Sequence, residues 1–272
     1  MTQYNPYRGS FEKSKSFNKY SEIILWLSTI LLVIAFALKE INTNWAYISE
    51  IITNINCFFI VAFAVLSFIS ETIFYEASIQ RREDFIDNAF ETTLAENRSQ
   101  GYYTNDNIAS GIYKMAVNGF ENSLFTYKIA KKMTTLLWLK NILFTVLILA
   151  FSIIGYSSAF TLLIQLTLPI LLLQQAIKHT LFVYRIKRVF ENNRRLFNNL
   201  KNLDDSKQKK PEIILNVLDY ETTITNGAIL LDSKIYNKMN PSLSITWDEL
   251  KQKYNILRHG STKRTRPVSN AL

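Results

Sequence analysis

Glycine, cysteine and histidine are scarce in this chain, and each scarcity excludes a class of chemistry. Seven glycines in 272 residues leave little material for phosphate-cradling loops, and neither a Walker-type loop nor a dinucleotide fingerprint is present. The single cysteine, Cys57, lies inside an apolar run. It cannot form an intrachain disulfide, it reads as a small core residue, and its depth in the run argues against lipidation. Two histidines, His179 and His259, and no cysteine cluster provide no zinc spacing, no Cys–His pair and no Ser–His–Asp set. The chain is therefore not expected to be an enzyme, and no cofactor or metal is implied. Carboxylates are also missing from the middle of every apolar run, where a proton-coupled transporter would place one. No inverted repeat is evident, so a small transporter ranks last among the membrane readings.

What the chain does have is four long apolar runs: Ile23–Leu38, Ile51–Ser70, Leu136–Ile154 and Ala159–Ile177. The mean hydropathy of +0.03 hides them by averaging them with very polar stretches. Each run approaches the roughly 20 residues a helix needs to cross a hydrocarbon core about 30 Å thick, and spanning segments of this kind must be helical to satisfy their own backbone. The expected fold is all-α: a multi-pass membrane protein of four transmembrane helices in two hairpins, with a helical cytoplasmic insert and a helical C-terminal region. The boundaries are an arm over 1–20, a first hairpin over 21–70, an insert over 71–133, a second hairpin over 134–180, a helical region over 181–257 and a basic disordered tail over 258–272. The arm reads as flexible or weakly helical.

The formal net charge of +9 is distributed as the positive-inside rule requires. Arg8, Lys13, Lys15 and Lys19 precede the first run, and Arg81, Arg82, Arg98, Lys114, Lys128, Lys131 and Lys132 lie between the hairpins. The connection Lys39–Ala46 carries one Lys and one Glu, and Gly155–Ser158 carries no charge. This orientation places both termini and the insert in the cytoplasm. The first run follows about twenty polar residues without a small-residue cleavage site, and so reads as an anchor. Trp26, Tyr47 and Trp138 sit near span ends, with Trp45 beside them, where amphipathic rings favour the interface.

On a helical wheel the second run gathers Glu50, Thr53, Asn54, Cys57, Val61, Ala64, Ser67 and Glu71 on one face. The third run carries Asn141, Thr145 and Ser152, and the fourth Ser158, Thr161, Gln165, Pro169 and Ala176. Small and polar residues in membrane helices face other helices, and the competing reading is a water-filled conduit formed on oligomerisation. Glu50, Thr53, Asn54, Asn141, Thr145 and Gln165 are the candidates for bundle interior or pore. Glu50 and Lys140 lie near opposite span ends, where each can snorkel. Pro169 removes one helical hydrogen bond and kinks its span.

Between the hairpins, Glu71–Phe90 continues the second span at helical spacing, Asn97–Asp106 has the chemistry of a loop, and a second helix begins near Ile108. Glu83, Asp84, Asp87, Glu91 and Glu96 form a carboxylate cluster, expected to be solvated or paired with Arg81, Arg82 and the basic helix after 184. That basic helix, Tyr184–Lys201, offers Arg185, Lys187, Arg188, Arg194 and Arg195 to anionic lipid headgroups, to packing against the domain, or to an anionic nucleotide. Direct nucleic-acid binding is not expected. A break falls at Lys207–Pro211, a helix covers Ile213–Met239, Asn240-Pro241 ends it, and Thr246-Trp247-Asp248-Glu249 matches a capping box for a short final helix.

Two membrane hairpins around a helical insert resemble the SMODS-associated four-transmembrane effectors and the related SLATT class of bacterial anti-phage systems. The local likeness is in Ala77-Ser78-Ile79-Gln80-Arg81-Arg82-Glu83-Asp84-Phe85-Ile86-Asp87, similar to the Ile-Gln-x-x-Phe-Asp type of segment after span two, with Phe85 and Asp87 as counterparts. The Trp-Asn pair expected shortly afterwards is replaced by Gly101-Tyr102-Tyr103. The layout covers about 20–200, and the motif about ten residues. The resemblance implies an oligomeric inner-membrane effector that permeabilises or disrupts the membrane when triggered, in abortive infection. It also implies a cyclic nucleotide ligand. The alternative is a non-enzymatic scaffold or sensor that recruits a cytoplasmic partner protein through 71–133 and 184–257.

Overall fold

The computed structural model describes residues 5–41, 43–99, 105–154, 159–200 and 208–256, with the backbone alone at 40, 41, 43, 144, 147–154, 159–169 and 172. Among the described residues the chain is all-α, with no strand. Six helices follow in order: α1 (Arg8–Ile41), α2 (Ala46–Phe90), α3 (Ile112–Ile154), α4 (Ala159–Asn199), α5 (Lys210–Gly227) and α6 (Ser233–Lys253), with a 3₁₀ turn at Thr43–Trp45 before α2. Four of them are long. The 45 residues of α2 extend about 68 Å at 1.5 Å per residue, more than twice a hydrocarbon core. Among the described residues, α1 and α2 carry stretches long and apolar enough to cross a membrane. The expected tail over 258–272 and the connection Gly155–Ser158 lie outside the described residues.

The hairpin of α1 and α2 is built on a seven-residue repeat of mostly small side chains, interrupted on α2 by Phe63, which packs against Leu25 and Leu32. Tyr7, Ser14, Ser21, Ser28 and Ala35 are buried along α1 and its approach, and Ser49, Asn56, Ser70, Ala77 and Asp84 along α2. A strict period of seven keeps one seam facing the partner only if the two helices coil left-handedly around each other. Small residues let the two backbones approach closely. The hydroxyls then bond across the seam: Ser14 Oγ donates to the Ser70 carbonyl at 2.8 Å and Ser70 Oγ returns to the Ser14 carbonyl at 2.9 Å. Ser28 Oγ donates to Asn56 Oδ1 at 2.6 Å, and Ser49 Oγ to the Ala35 carbonyl at 2.7 Å.

This seam corrects the arm over 1–20. Helix α1 starts at Arg8, and its first turns are held to α2 by Ser14 and by Phe11, whose ring meets Phe74 edge-on at 5.5 Å. The polar composition that suggests a loose arm belongs to a helix whose buried side chains are serines.

The packed core lies at the polar end of the four long helices, where α5 and α6 close over α3 and α4. Phe120 is its centre: the ring stacks on Phe197 at 5.2 Å, meets Trp247 edge-on at 5.4 Å and lies 5.7 Å from Phe190. Helix α5 runs antiparallel to α4, with Asn216 against Asn193 and Gly227 against Phe182. Gly227 is required there, because a Cβ would fall 2.3 Å from Phe182 Cδ2.

Three C-terminal expectations are corrected. The helix from Ile213 does not run to Met239; it ends at Gly227, with Ala228 in the left-handed region. A new helix starts at Ser233, capped by Asp232, whose carboxylate accepts from the Lys234 and Ile235 amides at 2.7 and 2.9 Å. Asn240-Pro241 does not end it, since α6 continues through Pro241. Thr246 lies inside α6 and back-bonds to the Ser242 carbonyl at 3.0 Å instead of capping a helix. The short side chain at Asp232 satisfies the first amides, and Trp247, buried in the core, anchors the helix beyond the proline. The break near Lys207–Pro211 holds where it is described, with Pro211 in the first turn of α5, where a missing amide proton costs nothing.

Candidate functional site

The apolar stretches of the long helices are exposed in the single chain. On α2, Phe58, Val61 and Phe68 are 78%, 62% and 72% exposed. Ile23, Leu27, Ile30 and Ile34 are exposed on α1, Leu136, Leu139, Ile142, Leu143 and Val146 on α3, and Ile170 and Ile177 on α4. So large a continuous apolar surface is foreign to a monomeric soluble domain.

The lower edge of this belt is one level across the four helices. Ser14 meets Ser70, Lys178 Nζ donates to the adjacent Glu71 at 2.6 Å, and Trp138 Nε1 donates to Thr180 at 2.8 Å. Just below, His179 Nε2 lies 2.9 Å from the Ala130 carbonyl. A carbonyl only accepts, so Nε2 carries the proton.

Inside the belt the polar candidates separate. Asn141 and Thr145 on α3 are buried. Thr53 is half-buried and spends its hydroxyl on the Ser49 carbonyl at 2.9 Å. Glu50 and Asn54 are exposed on the outer face of α2. Gln165 lies where only the backbone is described. The side chain that reaches the α1 seam is Asn56, which the wheel did not select. Its Oδ1 accepts from Ser28, while its buried Nδ2 has no hydrogen-bond partner among the described residues. The available signal was the repeat of Ser14, Ser21, Ser28 against Ser49, Asn56, Ser70, a period of 7 and not 3.6.

Below the belt the carboxylates divide by role. Asp84 and Asp87 are 2% exposed and hold the segment after α2. Asp87 accepts from the Leu94 and Ala95 amides, both at 2.8 Å, and from the Thr92 hydroxyl at 2.7 Å. Asp84 accepts from the Ser99 amide at 2.8 Å and hydroxyl at 2.7 Å, and from the Tyr7 hydroxyl at 3.3 Å. Burial raises the Asp87 pKa, but its three hydrogen bonds and Arg98 outweigh this and hold the carboxyl below its ordinary value. These two residues are therefore buried, not a solvated face, and the cation beside Asp87 is Arg98 at 3.8 Å, not Arg81, Arg82 or the helix after 184. Phe85, between them, is fully buried in the core. Gly111, with φ of +136°, lets its amide reach the Ala89 carbonyl at 2.7 Å and so sets the start of α3 against the end of α2.

Arg81 and Arg82 converge on a residue outside that cluster. Arg81 Nη2 lies 2.5 Å from Glu221 Oε2 on α5, and Arg82 Nε 3.4 Å from the same oxygen. Arg81 also lies over the Tyr220 ring at 5.6 Å, and the Tyr220 hydroxyl is 3.4 Å from Thr126 Oγ1. Burial pushes the Tyr220 pKa above its ordinary value. Beneath it Asn216 donates to Asn193, which donates to Ser123. A polar junction thus joins α2, α3, α4 and α5 across otherwise apolar packing. No protein-family model, curated protein or solved structure matches the chain.

The basic helix is split by position. Arg185, Lys187 and Arg188 are exposed near the belt. Arg194 is half-buried, paired with Glu191 at 2.9 Å, and its charge is further favoured by a hydrogen bond to Tyr254. Arg195 is exposed and bonded to Asn192 of its own helix. Among the described residues no group of three His, Cys, Asp or Glu side chains is placed to hold a metal ion.

Proposed function

We propose that the chain is a four-span inner-membrane protein, two hairpins with both termini in the cytoplasm. In this reading it acts as an oligomeric effector that permeabilises the membrane when triggered, in anti-phage defence by abortive infection. The observation that carries this reading is the outer face of α2. Glu50 and Asn54 are exposed beside Ile51, Ile55 and Phe58, which are exposed too. Glu50 stands at the span end and reaches the interface, but Asn54 lies one turn inside the run. Lipid satisfies Ile and Phe but not an amide, so this face calls for an aqueous or protein neighbour that a single copy does not supply. Among the described residues the second hairpin does not supply it either: Lys140 lies 3.9 Å over the Trp26 ring, Leu171 packs against Leu25 and Leu32, and Lys178 meets Glu71 at the far end of the belt.

The test is expression of the chain with its genomic neighbours, a phage challenge and a potential-sensitive dye. Depolarisation that Asn54→Leu abolishes is expected. Cells that survive infection with an intact potential sink the effector reading.

One observation favours a scaffold or sensor instead. Ile214, Leu215 and Leu218 are exposed on one stripe of α5, next to Asn216, which bonds Asn193. Asn193 lies about 24 Å along α4 beyond Ile177, too far for lipid to cover the stripe. A partner protein captured by this stripe, with no conductance from purified protein, supports that alternative.

A further inference from the structure

The cations beneath the belt are one-sided. Lys128, Lys131 and Lys132 are exposed on the outward face of α3 that carries Leu136 and Leu139, themselves 68% and 70% exposed. Arg185 and Arg188 continue the outward face of α4 from Leu181 and Tyr184, which are exposed as well. Lys132 and Arg185 each stand four residues, about 6 Å, from the last outward apolar side chain. The two groups are level, because Tyr127 stacks on Phe190 at 5.8 Å and Ala130 bonds His179.

None of these five cations has a carboxylate partner among the described residues. The sequence supplies none nearby, for no Asp or Glu occurs between Asn122 and Phe190. The other half below the belt edge is mixed: Arg8, Glu12 and Lys13 are exposed on α1, and Glu76 on α2. Five cations so close repel one another unless anions lie between them. Their stems run along apolar surface toward a boundary where phosphate is the abundant anion.

We propose that the α3–α4 face below the belt is a collar for the phosphate headgroups of anionic lipids, and that the α1–α2 face is not. The proposal rests on the membrane reading above. Free phosphate compounds share the recognising chemistry, but the position of the collar, continuous with exposed leucines, favours lipid. Arg194 and Arg195 fall outside it. They lie about 25 Å along α4 beyond Ile177 and are bonded to Glu191 and Asn192.

The test uses the full chain in phosphatidylcholine nanodiscs with increasing phosphatidylglycerol, read as the thermal unfolding midpoint. The midpoint is expected to rise with phosphatidylglycerol. The rise should be lost in Lys128→Gln/Lys131→Gln/Lys132→Gln, and also in Arg185→Gln/Arg188→Gln, which keeps the proposal testable should the first variant fail to fold. It should persist in Lys13→Gln/Lys19→Gln. A rise retained by both collar variants overturns the proposal. So does an equal rise produced by inorganic pyrophosphate in phosphatidylcholine alone, which assigns the cations to a soluble ligand. Alkaline carbonate extraction separates the two levels of failure. A chain that stays in the membrane but ignores phosphatidylglycerol sinks the collar only, whereas a chain released by carbonate sinks the membrane reading as well.

Discussion

Removing the carboxylate of Glu221 should open the C-terminal helices. Its side chain is 8% exposed and that of Arg81 11%, so both charges are largely withdrawn from water. Taking one partner from a buried pair costs about 3–5 kcal/mol, chiefly because the other charge is left uncompensated. Two features reduce the figure here. Arg81 keeps the face of the Tyr220 ring, and Arg82, with a side chain 39% exposed, is partly hydrated. For Glu221→Ala we expect a loss of about 2–4 kcal/mol. Arg81→Ala should cost less, about 1–2 kcal/mol, because Glu221 retains Arg82 at 3.4 Å and the remaining pair is closer to solvent. The two changes share one interaction, so the double variant should lose about 1–3 kcal/mol less than the sum. The assay is native-state proteolysis at the connection between α5 and α6, residues 228–232. Where cleavage follows the open population, 2–4 kcal/mol corresponds to cleavage faster by roughly 30- to 1000-fold. A Glu221→Ala chain cleaved within twofold of the parent, or strictly additive single effects, would refute the role given to the Arg81–Glu221 pair.

Gly227→Ala should destabilise by about 1–3 kcal/mol through overpacking, since the added methyl meets the buried Phe182 ring; Phe182→Leu in the same chain should recover part of the lost unfolding midpoint. Ser70→Leu should separate the α1–α2 hairpin, because the seam has no room for a branched side chain and the reciprocal Ser14 bonds are lost; disulfide trapping of Ser21→Cys with Phe63→Cys in a Cys57→Ser background should fall. The segment after α2 should be acid-labile. The folded pKa of Asp87 lies below the ordinary 3.8, so its contribution is complete above that value and is lost as pH falls through the lower folded one. Hydrogen exchange at the Leu94 and Ala95 amides should accelerate only in that range, and Asp87→Asn should show the fast exchange already at neutral pH.

The long helices were legible because an apolar run approaching 20 residues seldom forms anything but a helix, and among the described residues α1 and α2 meet the length and hydropathy a span needs. The continuation of α2 to Phe90 and the helix before the second hairpin also followed from periodicity, with α3 starting at Ile112 after the expected loop. The inward face of α2 did not follow. A wheel of 3.6 residues drifts from a supercoiled seam by about 20° per heptad, or about 60° over Ser49 to Ser70, too little to bridge the roughly 160° between Asn54 and Asn56. The wheel followed the polar group Glu50, Thr53 and Asn54, which faces outward. Glu221 as the partner of Arg81 was equally invisible, since 140 residues separate them and a single glutamate on an amphipathic helix carries no pairing signal. The C-terminal boundaries were missed because local cues at Asn240-Pro241 and Thr246 were outweighed by the Asp232 cap and the burial of Trp247.

Helix α2 contains neither glycine nor proline from Ala46 to Phe90, so it has none of the usual places to bend. Its two ends are consequently one mechanical part. A twist applied where Arg81 meets α5 encounters no hinge residue before Asn54, and the Ser14–Ser70 and Ser28–Asn56 bonds tie α1 to the same movement.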